Sequence, residues 1–283
     1  MLQNGFGSDG QGQKERDRDM RRNLMLALAL AAVLSLGVAA VASAVSITLR
    51  AGDLVTTFGG TTSPKALSKT KYTPVVANLF GKISTSDGTH PPAFRETKVE
   101  IDKDVKVNVK GYPVCKAGQL EARDTKAAKA ACGNTILGEG TAEAEIAFPE
   151  QKPIKVPSPL LVFNGGEKGG KVTLLIHTFI TVPAPTAIVT TVTISRKGSG
   201  LSSIAKIPVI AGGSGSALNF SFKLGKTYTY KGKKVGYFEA KCPDGVFKVN
   251  VPSAVFKNEA HTPEQESSFN LKGKLAVPCT PKG

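Results

Sequence analysis

The sequence predicts an all-β domain, an antiparallel β-sandwich or barrel with one short helix, pinned by disulfides. Three observations predict it. Apolar residues alternate with polar ones in short runs spaced by roughly 8–12 residues, the pattern of half-buried strands in a sandwich or barrel. The chain carries 30 Gly and 17 Pro in 283 residues, a density that suits turns better than long helices. Its four cysteines are an even set, and all of them follow an export-type N-terminus.

Taken in order, the first strand reads from Val45, Ile47 and Leu49, which alternate with Ser46, Thr48 and Arg50. A second run, Val75 to Ser84, is broken by Gly81. Lys98 to Lys110 reads as a hairpin: Val99 and Ile101 lead in, Asp102-Lys103-Asp104 turns, and Val105, Val107 and Val109 return. One apolar and one charged face mark an antiparallel sheet with a solvated side. Gln119 to Ala131 is rich in Ala, Lys and Glu and is the one predicted helix. Ala142–Phe148, Leu160–Phe163 and Val172–Val182 follow, the last apolar on both faces with His177 inside it. Thr186–Ser195, Ile204–Ile210, Leu218–Leu224, Tyr228–Tyr230, Val235–Cys242, Val246–Val251 and Phe269–Val277 complete the strands. Asn164-Gly165-Gly166, Gly169-Gly170 and Gly212-Gly213 are turn signals between them. Pro153, Pro157 and Pro159 are the best candidate for a division into halves. They read as a crossover within a single domain, residues 45–283.

Residues 1–44 form the targeting segment. Arg16, Arg18, Arg21 and Arg22 precede an apolar stretch from Leu24 to Ala42, and Ala42-Ser43-Ala44 offers an A-x-A cleavage signal. Cleavage after Ala44 is expected. Retention as an anchor is the competing reading, since the stretch approaches the roughly 20 residues of a membrane span. Met20 is a second candidate start, with Arg21-Arg22 as an ordinary basic n-region. The mature chain therefore belongs outside the cytoplasm, secreted or on the cell surface.

Export makes disulfides the natural fate of Cys115, Cys132, Cys242 and Cys279. The first two bracket the predicted helix, so the expected pairs are the local ones, Cys115–Cys132 and Cys242–Cys279. No C-x-x-C pair exists, and His90, His177 and His261 are far apart in sequence, which argues against a metal site. The first 44 residues hold five basic and four acidic groups, leaving 32 basic and 18 acidic in the mature chain, a net charge of +14. Only Arg50, Arg95, Arg123 and Arg196 of these are arginines. Readers of phosphate and base edges favour the arginine fork. A lysine-dominated surface suggests diffuse attraction to anionic polymers, or protected sheet edges.

Several short blocks stand out together. They are Gly111-Tyr112-Pro113-Val114-Cys115, Ala131-Cys132-Gly133, Gly138-Glu139-Gly140-Thr141-Ala142 and Ala147-Phe148-Pro149-Glu150-Gln151. Phe163-Asn164-Gly165-Gly166, Lys206-Ile207-Pro208, Tyr228-Thr229-Tyr230-Lys231-Gly232-Lys233-Lys234, Lys241-Cys242-Pro243-Asp244-Gly245 and Pro278-Cys279-Thr280-Pro281-Lys282 follow. The set resembles a group of uncharacterised exported proteins of soil actinobacteria, across most of the mature chain. The resemblance implies export and one folding unit. It implies no activity.

Each candidate site also has a plainer structural reading. A lone His177 on an apolar strand reads as a core side chain. Ser214, in Gly212-Gly213-Ser214-Gly215, misses the G-x-S-x-G pattern because Ser216 occupies the last position. Asp102 and Asp104 could begin a calcium loop, but Lys103 and Lys106 crowd them and the rest of the loop is missing. Glu143 and Glu145 share a strand face and could do acid/base work, or simply be its wet side. Lys226, Lys231, Lys233, Lys234 and Lys241 interleave with Tyr228, Tyr230, Tyr237 and Phe238. Such interleaving can bind single-stranded nucleic acid; a lysine-tipped hairpin is the plainer reading, and export removes most nucleic-acid partners.

No catalytic, metal or cofactor constellation emerges from these residues, so the functional expectation is a non-catalytic domain. Its partner would be an anionic envelope polymer or a protein, with Lys231, Lys233 and Lys234 as the contact residues. A membrane enters only through an uncleaved N-terminal segment. A carrier with an apolar ligand inside a barrel is the first alternative, and a hydrolase with a site not legible in sequence is the second.

Overall fold

The computed structural model describes residues 44–258 and 267–283, and Ala44–Gly283 form one compact unit. The expected targeting segment lies outside the described residues, Ala44 excepted. Among the described residues no helix is long and apolar enough to cross a membrane.

The strands are β1 (Val45–Ala51), β2 (Leu54–Ser63), β3 (Ala66–Ser68), β4 (Thr73–Pro74), β5 (Val76–Thr85), β6 (Ala93–Ile101) and β7 (Val105–Val107). After the helix α1 (Thr125–Cys132) come β8 (Ile136–Ile146), β9 (Ile154–Lys168), β10 (Lys171–Ile180), β11 (Thr186–Lys197), β12 (Gly200–Lys206) and β13 (Gly215–Leu224). The last are β14 (Thr227–Tyr230), β15 (Lys233–Gly236), β16 (Phe238–Ala240), β17 (Val246–Asn258), β18 (Ser267–Pro278) and β19 (Thr280–Lys282).

Twelve of them make one antiparallel sheet in the order β1-β2-β5-β13-β8-β9-β10-β11-β12-β6-β17-β18. The sheet curls until its edges, β1 and β18, face each other. Among the described residues no ladder joins them. A Cβ at Gly273 of β18 would lie 2.6 Å from Cδ1 of Ile47 in β1, so side-chain packing on a glycine closes the seam. The fold is thus a nearly closed barrel, in which side chains cover the two edge strands that an open sheet would leave bare.

Alternation puts one apolar face inside. At one end Leu54, Ile83, Phe94, Val251, Ala254, Phe256 and Leu271 pack together, with the Phe94 and Phe256 rings stacked at 4.8 Å. Further along, Leu137, Leu160, Val162, Val172, Leu174 and Ile194 meet Tyr112 and Tyr237. The interior is therefore filled with side chains. Tyr237 is fully buried, and its hydroxyl donates to Asn164 Oδ1 at 2.8 Å.

Both expected disulfides are present, Cys115–Cys132 and Cys242–Cys279, and among the described residues no cysteine is free. Closing loops of 17 and 37 residues contributes about 3 and about 4 kcal/mol in the chain-entropy account. The pairs indicate an oxidising, extracytoplasmic compartment. The first holds α1, whose buried Ala128 and Cys132 join Leu120, Leu161, Phe163 and Leu175.

Three expectations need correction: the 98–110 hairpin, the length of the helix, and the crossover at the prolines. The 98–110 segment is no hairpin: β6 pairs with β12 and β17, and β7 pairs with β16 of a small second sheet. Both edges of β6 are occupied, and Asp102 redirects the chain by accepting from the Lys248 amide at 2.8 Å and the Asp104 amide at 3.1 Å. The helix is also shorter than predicted. Asp124 caps it by accepting from the Ala127 amide at 2.7 Å, and Ala122 before it has a positive φ of 56°, which no helix continues through.

The prolines at 157 and 159 lie inside β9, facing solvent. Proline lacks the amide a ladder needs. There the pairing with β10 ends at Leu160, and Ser158 replaces it: its hydroxyl accepts from the Phe179 amide at 2.9 Å and donates to a carbonyl, Phe179 O at 2.9 Å being one within reach.

Candidate functional site

Lys231, Lys233 and Lys234 sit at the tip of the two-stranded hairpin formed by β14 and β15. The turn residues Lys231 and Gly232 both have positive φ, 50° and 74°, as a two-residue type I′ turn requires. Tyr228 and Tyr230 alternate with exposed Thr227 and Thr229 and anchor the hairpin. The Tyr228 hydroxyl lies 3.0 Å from the Lys110 carbonyl, and a Cβ at Gly111 would meet the Tyr230 ring at 2.3 Å. The four residues Lys231–Lys234 are exposed. The Lys231 ammonium stands 5.7 Å from the Tyr230 ring centre. Among the described residues none of the three lysines has an acidic partner. Lys106 and Lys241, by contrast, are committed to Glu239 and Asp104.

This placement bears on the nucleic-acid reading. Stacking needs free aromatic faces. Tyr237 is core, Tyr228 and Tyr230 pack on the body of the domain, and Phe238 packs edge-on against Tyr237 at 5.2 Å. The three cations at the tip have no acidic partner among the described residues, but the rings are not free to stack.

A second constellation forms at the opposite end of β13. Ser216 lies directly across the ladder from Glu145 of β8, and His90, on the connection between β5 and β6, bridges them. His90 Nδ1 is 2.8 Å from Glu145 Oε1, and His90 Nε2 is 3.1 Å from Ser216 Oγ. The Ser216 hydroxyl also lies 2.6 Å from the Pro91 carbonyl. Ser216 is 2% exposed. His90 and Ser216 border a small cavity of about 80 Å³ lined also by Pro91, Ser214, Lys257 and Asn258. Sequence reasoning missed this group. Ser216 entered only as the residue that spoils a motif, His90 as an isolated histidine, and Glu145 as the wet side of a strand. Their meeting depends on the β8–β13 register, and no sequence spacing carries that.

The other candidates have structural roles. His177 is fully buried on β10; its Nε2–H donates to the Arg123 carbonyl at 2.9 Å, while Nδ1 has no partner. Burial, partly offset by that hydrogen bond and by Asp124, holds its pKa below the ordinary histidine value. Ser214 ends a short turn, its carbonyl accepting from the Ala147 amide at 2.8 Å. Glu143 accepts from the Asn219 amide group at 2.8 Å. Asp102 and Asp104 border an open cleft of about 580 Å³ together with Glu100, Asp244, Lys103, Lys197 and Lys248. Among the described residues no three ligating groups are placed to hold a metal ion.

Comparison of the chain with protein-family models, with curated proteins and with solved structures finds no match.

Proposed function

We propose that the chain is an exported domain, secreted or held at the cell surface, that binds an anionic envelope polymer through the β14–β15 hairpin. The observation that carries this reading is the exposed run Lys231–Lys234 on a hairpin whose tyrosines are spent on anchoring it. Three ammonium groups without acidic partners among the described residues, on a domain of net charge +14, attract a polyanion without needing a shaped pocket. The resemblance to exported actinobacterial proteins and the two disulfides support the compartment. The side-chain-filled interior weighs against the carrier reading. A protein partner would require an apolar anchor, and the hairpin tip offers none.

Exposed charges are screened beyond about 8 Å at physiological salt. Retention on purified anionic wall polymer should therefore fall steadily across a salt series. The variant Lys231→Gln/Lys233→Gln/Lys234→Gln should bind more weakly at every salt concentration while unfolding at the same temperature. Salt-insensitive retention, or equal retention by the variant, would contradict the proposal.

A further inference from the structure

Three segments distant in sequence converge on one serine. We infer that Ser216, His90 and Glu145 form a nucleophilic site for transfer of a short acyl group from an ester. The order of contacts carries the inference: a carboxylate on one imidazole nitrogen, 2.8 Å away, and a hydroxyl on the other, 3.1 Å away. With Nδ1–H donated to Glu145, Nε2 keeps its lone pair and faces Ser216 Oγ, the arrangement in which an imidazole takes a hydroxyl proton.

A purely structural clasp would need only one of these contacts. Ser216 is already held by the Pro91 carbonyl at 2.6 Å, and Ser216 and Glu145 are already fixed by their shared ladder. The hydroxyl has one proton and two acceptors, so it rests on Pro91 or turns to His90. The turned form is the reactive one.

The cavity limits the substrate. At about 80 Å³ it suits an acetyl-sized group better than a long acyl chain or a sugar ring. The alcohol portion would stay outside. Lys257 and Asn258, on the wall of the same cavity, are the residues with N–H donors for the oxyanion.

The step balances without another reagent. Ser216 Oγ bonds to the acyl carbon as its proton passes to His90 Nε2. The ester C–O bond then breaks, and the leaving alkoxide takes that proton. Water, deprotonated by the same nitrogen, cleaves the acyl-serine, releases the carboxylic acid and restores the hydroxyl. This site is independent of the lysine hairpin, so either proposal can fail alone.

The test uses the purified chain and an alkyl fluorophosphonate with a methyl-sized substituent, read by intact mass and peptide mapping. The wild type should gain one adduct, on Ser216. In His90→Gln the labelling rate should drop by about 100-fold or more, the range for loss of a general base. In Glu145→Gln it should drop by a smaller factor. Near-ultraviolet circular dichroism checks that both variants are folded. The wild-type adduct needs no variant to interpret: absence of label on Ser216 overturns the inference, as does labelling at an unchanged rate in folded His90→Gln.

Discussion

His177 and His90 are both histidines held by hydrogen bonds, yet their surroundings assign them different work. His177 is enclosed, with one nitrogen on a backbone carbonyl and the other facing no acceptor or donor. Protonating it would place a charge in the core, which is why its pKa is depressed. A histidine whose folded pKa lies below its unfolded value near 6.5 contributes stability that is complete above that value and is lost as pH falls below it. The wild type should therefore lose stability from about pH 6.5 downward. His177→Gln keeps an N–H for the Arg123 carbonyl and cannot take up the proton, so its loss should be shallower. Urea midpoints at pH 7.5, 6.5 and 5.5 check this, and parallel lines for the two proteins would contradict it. The apolar strand around His177 made its structural role legible in the sequence. His90 was not legible, because its partners come from β8 and β13 and meet only once those strands pair in register.

Among the elements, those with strict alternation were readable, and those shaped by a neighbour were not. β1, β11 and the tyrosine-bearing β14 follow from their sequences because one face of each meets the body of the domain. The hairpin assigned to residues 98–110 had the right strands and the wrong partners: alternation specifies a face and says nothing about which edge is free. β9 shows the reverse. Its prolines suggested a connection, yet the strand runs through them because Ser158 supplies the hydrogen bonds that Pro157 and Pro159 lack. Ser158→Ala should strip the Phe179 amide of its acceptor and cost about 1–3 kcal/mol, the range for an unsatisfied buried group. The urea midpoint measures it. A change under about 0.5 kcal/mol, the scatter of ordinary surface substitutions, would mean that water replaces the hydroxyl.

At the scale of the molecule, the sheet's closure decides what the surface can do. A barrel filled by side chains leaves no internal site, so function moves to the ends and to the loops. The antiparallel all-β class and both disulfides were readable from strand spacing and an even cysteine count; the choice of barrel over sandwich and the order of the twelve strands were not, since β6 and β13 pair with strands far away in sequence. The two ends then differ. One carries the Ser216 constellation beside a small cavity. The other carries the lysine hairpin, held out by tyrosines, its three tip lysines without acidic partners among the described residues. The central claim is that this hairpin is where a polyanion binds. Amide chemical shifts of the ¹⁵N-labelled protein, followed during titration with inorganic polyphosphate, test it most directly. The account predicts changes concentrated between residues 226 and 236 that vanish near 1 M salt, where the Debye length is about 3 Å. Changes centred elsewhere on the domain, or none at low salt, would contradict it.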